Sequence, residues 1–138
     1  MSFTNFLEHA VLDYLFGLTT YTPSGTLYVA LSTTTPTEAG TNFTEPPSAS
    51  GYARVAVTNN KTNWTNAAQN STSGEVRNST VITFPTSAGN WGTLTHFGIY
   101  DQSGNGNLLV QAPLDNAQTV NTNNTLSYAT GTMIFRID

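Results

Sequence analysis

The sequence predicts a mainly β domain: an antiparallel β-sandwich of jelly-roll type with one amphipathic helix at the N-terminus. Three observations lead there. Apolar residues recur with a period of two from Leu27 to the C-terminus and with a helical period only before Gly17. Clusters of Gly, Pro and Asn separate the alternating runs at short-strand intervals. Charged residues make up only 9% of the 138 positions, against roughly 25% in an ordinary domain. Polarity comes instead from 25 Thr, 15 Asn and 11 Ser. Threonine suits this fold because its β-branch fits a pleated strand and its hydroxyl wets the outer face without a charge.

The helix comes first. Asn5 and Glu8 have capping-box spacing and Gly17 stands where a left-handed cap is wanted, so a helix is expected over residues 5–16. Phe3, Leu7, Ala10, Val11, Tyr14 and Leu15 share its apolar face, opposite Asn5, His9 and Asp13. Leu12 and Phe16 fall on the polar side. Either the helix sits in a crevice of its own subunit, or those two residues meet a neighbouring protein.

Pro23 and Gly25 mark a turn, after which strands are expected over 27–32, 52–58, 80–84, 93–100, 108–112, 125–130 and 132–137. Met133, Phe135 and Ile137 share one face of the last. Turn residues stand between them at Pro36 and Gly40, Pro46-Pro47, Gly51, 87–90, 103–106 and 121–124. Residues from about 59 to 79 show no clear alternation around Trp64, so they are expected to form a long surface loop, and long loops are more often functional than incidental. A single domain over 1–138 is expected, with helix and arm in 1–20 and the sandwich in 26–138; no repeat with a period of roughly 20 to 50 residues suggests a solenoid or propeller.

Composition also narrows function. The four cations, Arg54, Lys61, Arg77 and Arg136, are scattered, which argues against a phosphate-binding patch and so against nucleic acid as a partner. The apolar N-terminal stretch is broken by Glu8, His9 and Asp13, so neither a membrane span nor a signal peptide is expected. The six Asn-x-Ser/Thr triplets read as a by-product of composition. With no cysteine there is no disulfide, thiolate metal site or thiol nucleophile.

Candidate chemistry is sparse. His96 lies in a strand with no catalytic partner in its pattern and reads as a structural or interface residue; the eight acids are scattered singly. Asp101-x-Ser103-x-Asn105 lacks the acidic density and closing Glu of a calcium loop and reads as a hairpin turn. No phosphate-cradling loop or nucleophile elbow is present. The expectation is therefore no catalytic residue, no metal and no cofactor. Trp91 reads as a cap on the sandwich. Trp64 is open between burial against a partner and stacking on a sugar.

Ordered landmarks resemble small virion proteins of tailed bacteriophages. They are Leu27-Tyr28-Val29-Ala30-Leu31-Ser32-Thr33, Pro36, Gly40, Glu45 and Gly51-Tyr52-Ala53-Arg54, then Ile82-Thr83-Phe84-Pro85, Trp91-Gly92-Thr93, His96-Phe97-Gly98-Ile99-Tyr100-Asp101 and Gly106-Asn107-Leu108-Leu109. The resemblance implies a structural protein of tail, fibre or capsid, since similar small β-sandwiches serve as capsid cement. The amide-rich stretch from Asn59 to Asn78 departs from the compact pattern.

The leading expectation is a non-enzymatic cement or decoration protein on the outer surface of the head. Its partners would be the major capsid protein and copies of itself, a trimer being expected. Interface residues would be Phe3, Phe6, Leu12, Phe16 and Trp64. Low charge fits a surface covered by neighbours, because burying Thr and Asn costs less than burying unpaired charge. The alternative is a tail-tip or tail-fibre module that binds host-surface carbohydrate through Trp64 and Tyr52.

Overall fold

A computed structural model describes residues 2–67 and 74–137. Among the described residues nine strands and one α-helix follow in the order β1 (Ser2–Phe3), α1 (Asn5–Leu15), β2 (Thr26–Ser32), β3 (Val55–Thr58), β4 (Gly74–Arg77), β5 (Ile82–Thr83), β6 (Gly92–Tyr100), β7 (Leu108–Val120), β8 (Ser127–Tyr128) and β9 (Ile134–Ile137), with one turn of 3-10 helix at Ser48–Ser50. The protein is mainly β, every strand pair is antiparallel, and the one α-helix is N-terminal.

β6 lies at the centre of a five-stranded sheet with the order β1-β7-β6-β2-β3. Its two long pairings place Val29, Ile99 and Val110 in one row across the sheet, and Leu31, Phe97 and Ala112 in the next. Alternation along each strand puts both rows on the inner face. Two separate ribbons, β4–β9 and β5–β8, cover that face. The second layer is thus two two-stranded pieces, where a jelly roll has a continuous sheet.

The core between the layers is strongly aromatic. Tyr52 stacks on Phe84 with ring centres 6.2 Å apart and meets Trp91 edge-on at 5.3 Å, while Phe97 and Phe135 cross edge-on at 5.4 Å. Trp91 caps one end as its sequence context suggests, and its indole N–H donates to the Ser50 carbonyl at 2.9 Å. On the outer face Phe43, Tyr100 and Leu108 pack over Ala30. Gly98 makes this packing possible, because a Cβ there would lie 2.6 Å from Leu108 and 2.8 Å from Phe43.

The strand boundaries differ from expectation for identifiable reasons. β3 begins at Val55, because Tyr52 and Arg54 turn aside to bind Glu45. β7 continues to Val120 through Pro113 and the polar residues after it. A bulge absorbs them: His96 pairs with Pro113 and Leu94 with Gln118, so residues 114–117 have no partner on β6. The long loop expected over 59–79 is in part ordered sheet. Trp64 bridges Asn78, and β4 pairs Glu75 with Arg136 and Val76 with Phe135. The middle of that loop, 68–73, lies outside the described residues. The hairpin at 101–107 forms as expected: the Asp101 carboxylate accepts from the Asn107 amide at 2.7 Å, and Asn105 and Gly106 take the left-handed conformation.

Buried polar groups hold the loops together. The Asn78 side-chain amide donates to the carbonyls of Thr80 and Ala129 and accepts from Met133 N–H. Ser87 clips the 121–124 turn by donating to the Asn121 carbonyl and accepting from Asn124 N–H. Among the described residues no helix is long and apolar enough to cross a membrane.

Candidate assembly interface

The N-terminal segment is tied to the sheet at its root and free at its tip. β1 adds two residues to the edge of β7, pairing Ser2 with Gln111 and Phe3 with Val110. Thr4 follows and is completely buried; its hydroxyl donates to the Leu108 carbonyl and its N–H to the Leu109 carbonyl at 2.9 Å. The capping box expected from Asn5 and Glu8 is not made. Thr4 is the N-cap, and its side chain bonds β7 instead of the helix.

Only Leu7 of α1 is buried, so the apolar face meets the body at one point. Exposure of the apolar residues then climbs from 9% at Leu7 through 41% at Val11 and 52% at Leu12 to 72% at Phe16. The helix leaves the body as it runs. Gly17 stops it as predicted, in a Schellman arrangement: Leu18 N–H bonds the Asp13 carbonyl at 2.8 Å and Gly17 N–H bonds the Tyr14 carbonyl at 3.2 Å. Apolar side chains that are neither buried nor confined to one stripe distinguish α1 from an ordinary surface helix.

Beside the root of α1 lies an open groove of about 340 Å³. Phe3, Leu7 and Tyr21 form one side, Leu27, Ile99, Leu109 and Val110 the floor, and Trp64, Val76 and Phe135 the other side, with Pro23, Asn59 and Thr65 completing it. No lining residue is charged. Trp64 packs edge-on against Phe135 at 5.8 Å, and among the described residues its buried indole N–H has no hydrogen-bond acceptor.

The expected interface residues therefore divide. Phe6, Leu12 and Phe16 are exposed on the projecting helix, whereas Phe3 and Trp64 are half-buried in the groove. Tyr14, Leu15 and Leu18 are exposed as well. Tyr14 and Leu15 share the apolar face with Leu7 and are nevertheless uncovered, because helical periodicity says which residues share a side and not how far the helix stays against the body. Tyr52 is corrected as a sugar platform. Its ring is in the core, and its hydroxyl accepts from Leu31 N–H and donates to Glu45, each at 2.9 Å. Burial and the neighbouring Glu45 raise its pKa well above the ordinary tyrosine value.

Two ion-pair systems stand on the body. Arg54 grips Glu45 with two parallel bonds of 2.9 and 2.8 Å, donates to the Gln102 and Asn105 carbonyls and lies 3.5 Å above the Tyr100 ring. In the broad depression of about 660 Å³ over this cluster, the two charged lining groups, Glu45 and Arg54, are thus already bonded to each other. Glu75 is buried between Arg136 and Arg77, each 2.6 Å away. Their hydrogen bonds, Arg136 first, hold its carboxyl below the usual carboxylate range.

His96 is bonded through Nδ1 to the Thr95 hydroxyl at 2.9 Å, and burial lowers its pKa. Among the described residues no three His, Cys, Asp or Glu side chains come together as metal ligands would.

With this geometry in place, the comparisons with known proteins define the class. The chain is a structural protein of a tailed-phage virion, shown by a family model that matches residues 2–136. The family is described as podophage GP4 fiber I protein gp80, and the chain belongs to it. No curated protein matches the chain.

Proposed function

We propose that this chain is a non-enzymatic subunit of the fibre apparatus, joined to its neighbours in the particle through α1 and the segment that follows it. The observation that carries the reading is the projection of α1. Seven large apolar side chains between Phe6 and Leu18 are exposed on a segment whose root is fixed to the sheet. An isolated helix of this length is marginal in water, and an exposed apolar patch of this extent on a virion protein marks a contact surface.

The family description supports a fibre over the head-cement reading, which the exposed helix serves equally well. Stoichiometry separates the two. Purified particles should carry a small, fixed number of copies located at the tail by labelled antibody. Hundreds of copies, comparable to the major capsid protein, would instead establish cement. Incorporation should fall sharply when Leu15 and Phe16 are both changed to Ser; normal incorporation of that variant would remove α1 from the assembly. Carbohydrate recognition finds less support, because Tyr52 is enclosed and Trp64 presents its ring to Phe135.

A further inference from the structure

We infer that the depression over the Arg54–Glu45 pair is a binding site for an uncharged carbohydrate. The site uses no part of α1, and neither the Trp64 ring nor the Tyr52 ring is its platform, so it stands apart from the proposed assembly contact.

The depression, about 660 Å³, lies where residues 40–46, residues 48–54 and the 101–107 hairpin meet. Its floor is braced. Arg54 grips Glu45, donates to the Gln102 and Asn105 carbonyls and lies over the Tyr100 ring, so a side chain that is 8% exposed ties these segments together. A site of this size that is already formed takes a small polar ligand with little loop ordering.

Charge selects against ions. Glu45 and Arg54 are the two charged residues of the lining, and each neutralises the other. The other charges on the lining loops, Glu38 and Asp101, are both acids, and the Asp101 carboxylate already accepts from the Asn107 backbone and side-chain amides. An anion would meet no unpaired cation in the lining, and a cation no unpaired carboxylate.

The ion pair nevertheless keeps one unused group on each partner. Its bonds occupy four of the five N–H donors of Arg54, which leaves one on Nη2. Glu45 Oε1 accepts from both Arg54 and Tyr52, whereas Oε2 accepts from Arg54 alone. The spare donor and the spare acceptor therefore sit on atoms 2.8 Å apart, and the Glu45 side chain is 24% exposed. A hydroxyl both donates and accepts, so neighbouring hydroxyls of a sugar match this pair without breaking it, and hydrogen bonds to charged groups are the stronger kind.

The rim continues the match. Ser48, Ser103 and Asn105 are exposed lining residues whose side chains have no hydrogen-bond partner among the described residues. Their hydroxyls and amide also donate and accept. Phe43 and Pro46 give the C–H face of a sugar ring an apolar surface.

Labelled full-length protein is applied to an array of uncharged, sialylated and sulfated oligosaccharides, and uncharged members should retain it. The best-retained uncharged oligosaccharide, titrated in solution by NMR, should shift backbone amides within 40–54 and 100–108. Its dissociation constant should rise at least tenfold in the chain carrying Ser48→Ala, Ser103→Ala and Asn105→Gly. Glycine suits the left-handed backbone at Asn105, where φ is 52°, so the melting temperature should not move. A second variant, Ala53→Trp, puts bulk into the depression from an exposed lining position and should abolish binding. No retention on the array, preference for the sialylated or sulfated members, or an unchanged dissociation constant in both variants would each overturn the site. The double serine variant of Leu15 and Phe16 should bind the oligosaccharide as the natural chain does, and the triple rim variant should enter particles normally. Failure of the carbohydrate site and failure of the assembly role are thereby read separately.

Discussion

The β body and the N-terminal helix handle apolar residues in opposite ways. In the body, Phe84, Leu31, Ile82, Leu94 and Met133 are completely enclosed, and buried Asn78, Ser32 and Ser87 each have hydrogen-bond partners. Along α1 and its return, aromatic and aliphatic side chains of the same kind stand in solvent. The body encloses most of its own apolar side chains, with Val81 and the groove beside α1 as the exceptions. The helix leaves its apolar side chains uncovered beyond Leu7, and what fixes it to the body is the Thr4 hydroxyl and N–H, the Asn5 N–H bond to the Glu38 carbonyl, two residues of strand and Leu7. Substitutions in the two regions should accordingly damage different properties.

The largest effect is expected in the body. Phe84→Ala opens a cavity among Tyr52, Trp91 and Tyr128 and should cost about 3–5 kcal/mol in chemical unfolding. A loss below about 1 kcal/mol would mean that the ribbons are not the second half of the core.

At the junction, Thr4→Val keeps the shape but leaves the Leu108 carbonyl without its hydroxyl donor, at a cost of about 1–3 kcal/mol. The loss should be local. Hydrogen exchange should accelerate over 5–16 and not in β6, and Thr4→Ser should restore protection.

Glu75 sharpens the comparison through pH. Its carboxyl titrates below the ordinary 4.5 in the folded protein. The stability it contributes is therefore fully present above that ordinary value and is lost as pH falls through the lowered one. Melting temperature against pH should drop on the acid side for the natural chain. Glu75→Gln should be less stable at neutral pH and show a shallower acid limb; an unchanged acid limb would show that the Arg136–Glu75–Arg77 cluster does not carry it.

The smallest stability effect should come from the helix tip. Phe16→Ser is expected to change unfolding free energy by less than about 0.5 kcal/mol, while lowering incorporation into purified particles. A large loss of stability in a monomeric sample would mean that the tip packs on its own body.

Much of the architecture was legible because it depends on local pattern. Period-two alternation located β2, β6 and β9, and Gly17 and Asn105-Gly106 marked chain reversals that need left-handed backbone. Low charge was first read as a surface meant for neighbours. The structure adds a nearer reason: Thr4, Ser32, Asn78 and Ser87 work inside the molecule, where an ion without a partner is costly and a hydroxyl or amide can clip a loop.

β4 was missed because Gly74 to Arg77 is too short to show alternation beyond the amide-rich stretch before it, and its strand character comes from pairing with β9 more than fifty residues on. Tyr52 is a sugar-site candidate in the sequence because a tyrosine exposed on a shallow sheet is a plausible stacking platform. Its burial follows from Glu45, Leu31 and Trp91, which only folding brings together.

The sequence by itself determined an antiparallel β domain with one N-terminal helix, its turns and a largely uncharged polar surface, since period, turn chemistry and composition are properties of neighbouring residues. Tertiary structure alone decided that the second layer is two ribbons, that Thr4 anchors β7 instead of capping its helix, and that α1 leaves the body after Leu7 beside an uncharged groove. Each of those depends on which distant segments meet. Periodicity assigns a residue to a side of its element, and only the packed chain determines whether anything covers that side.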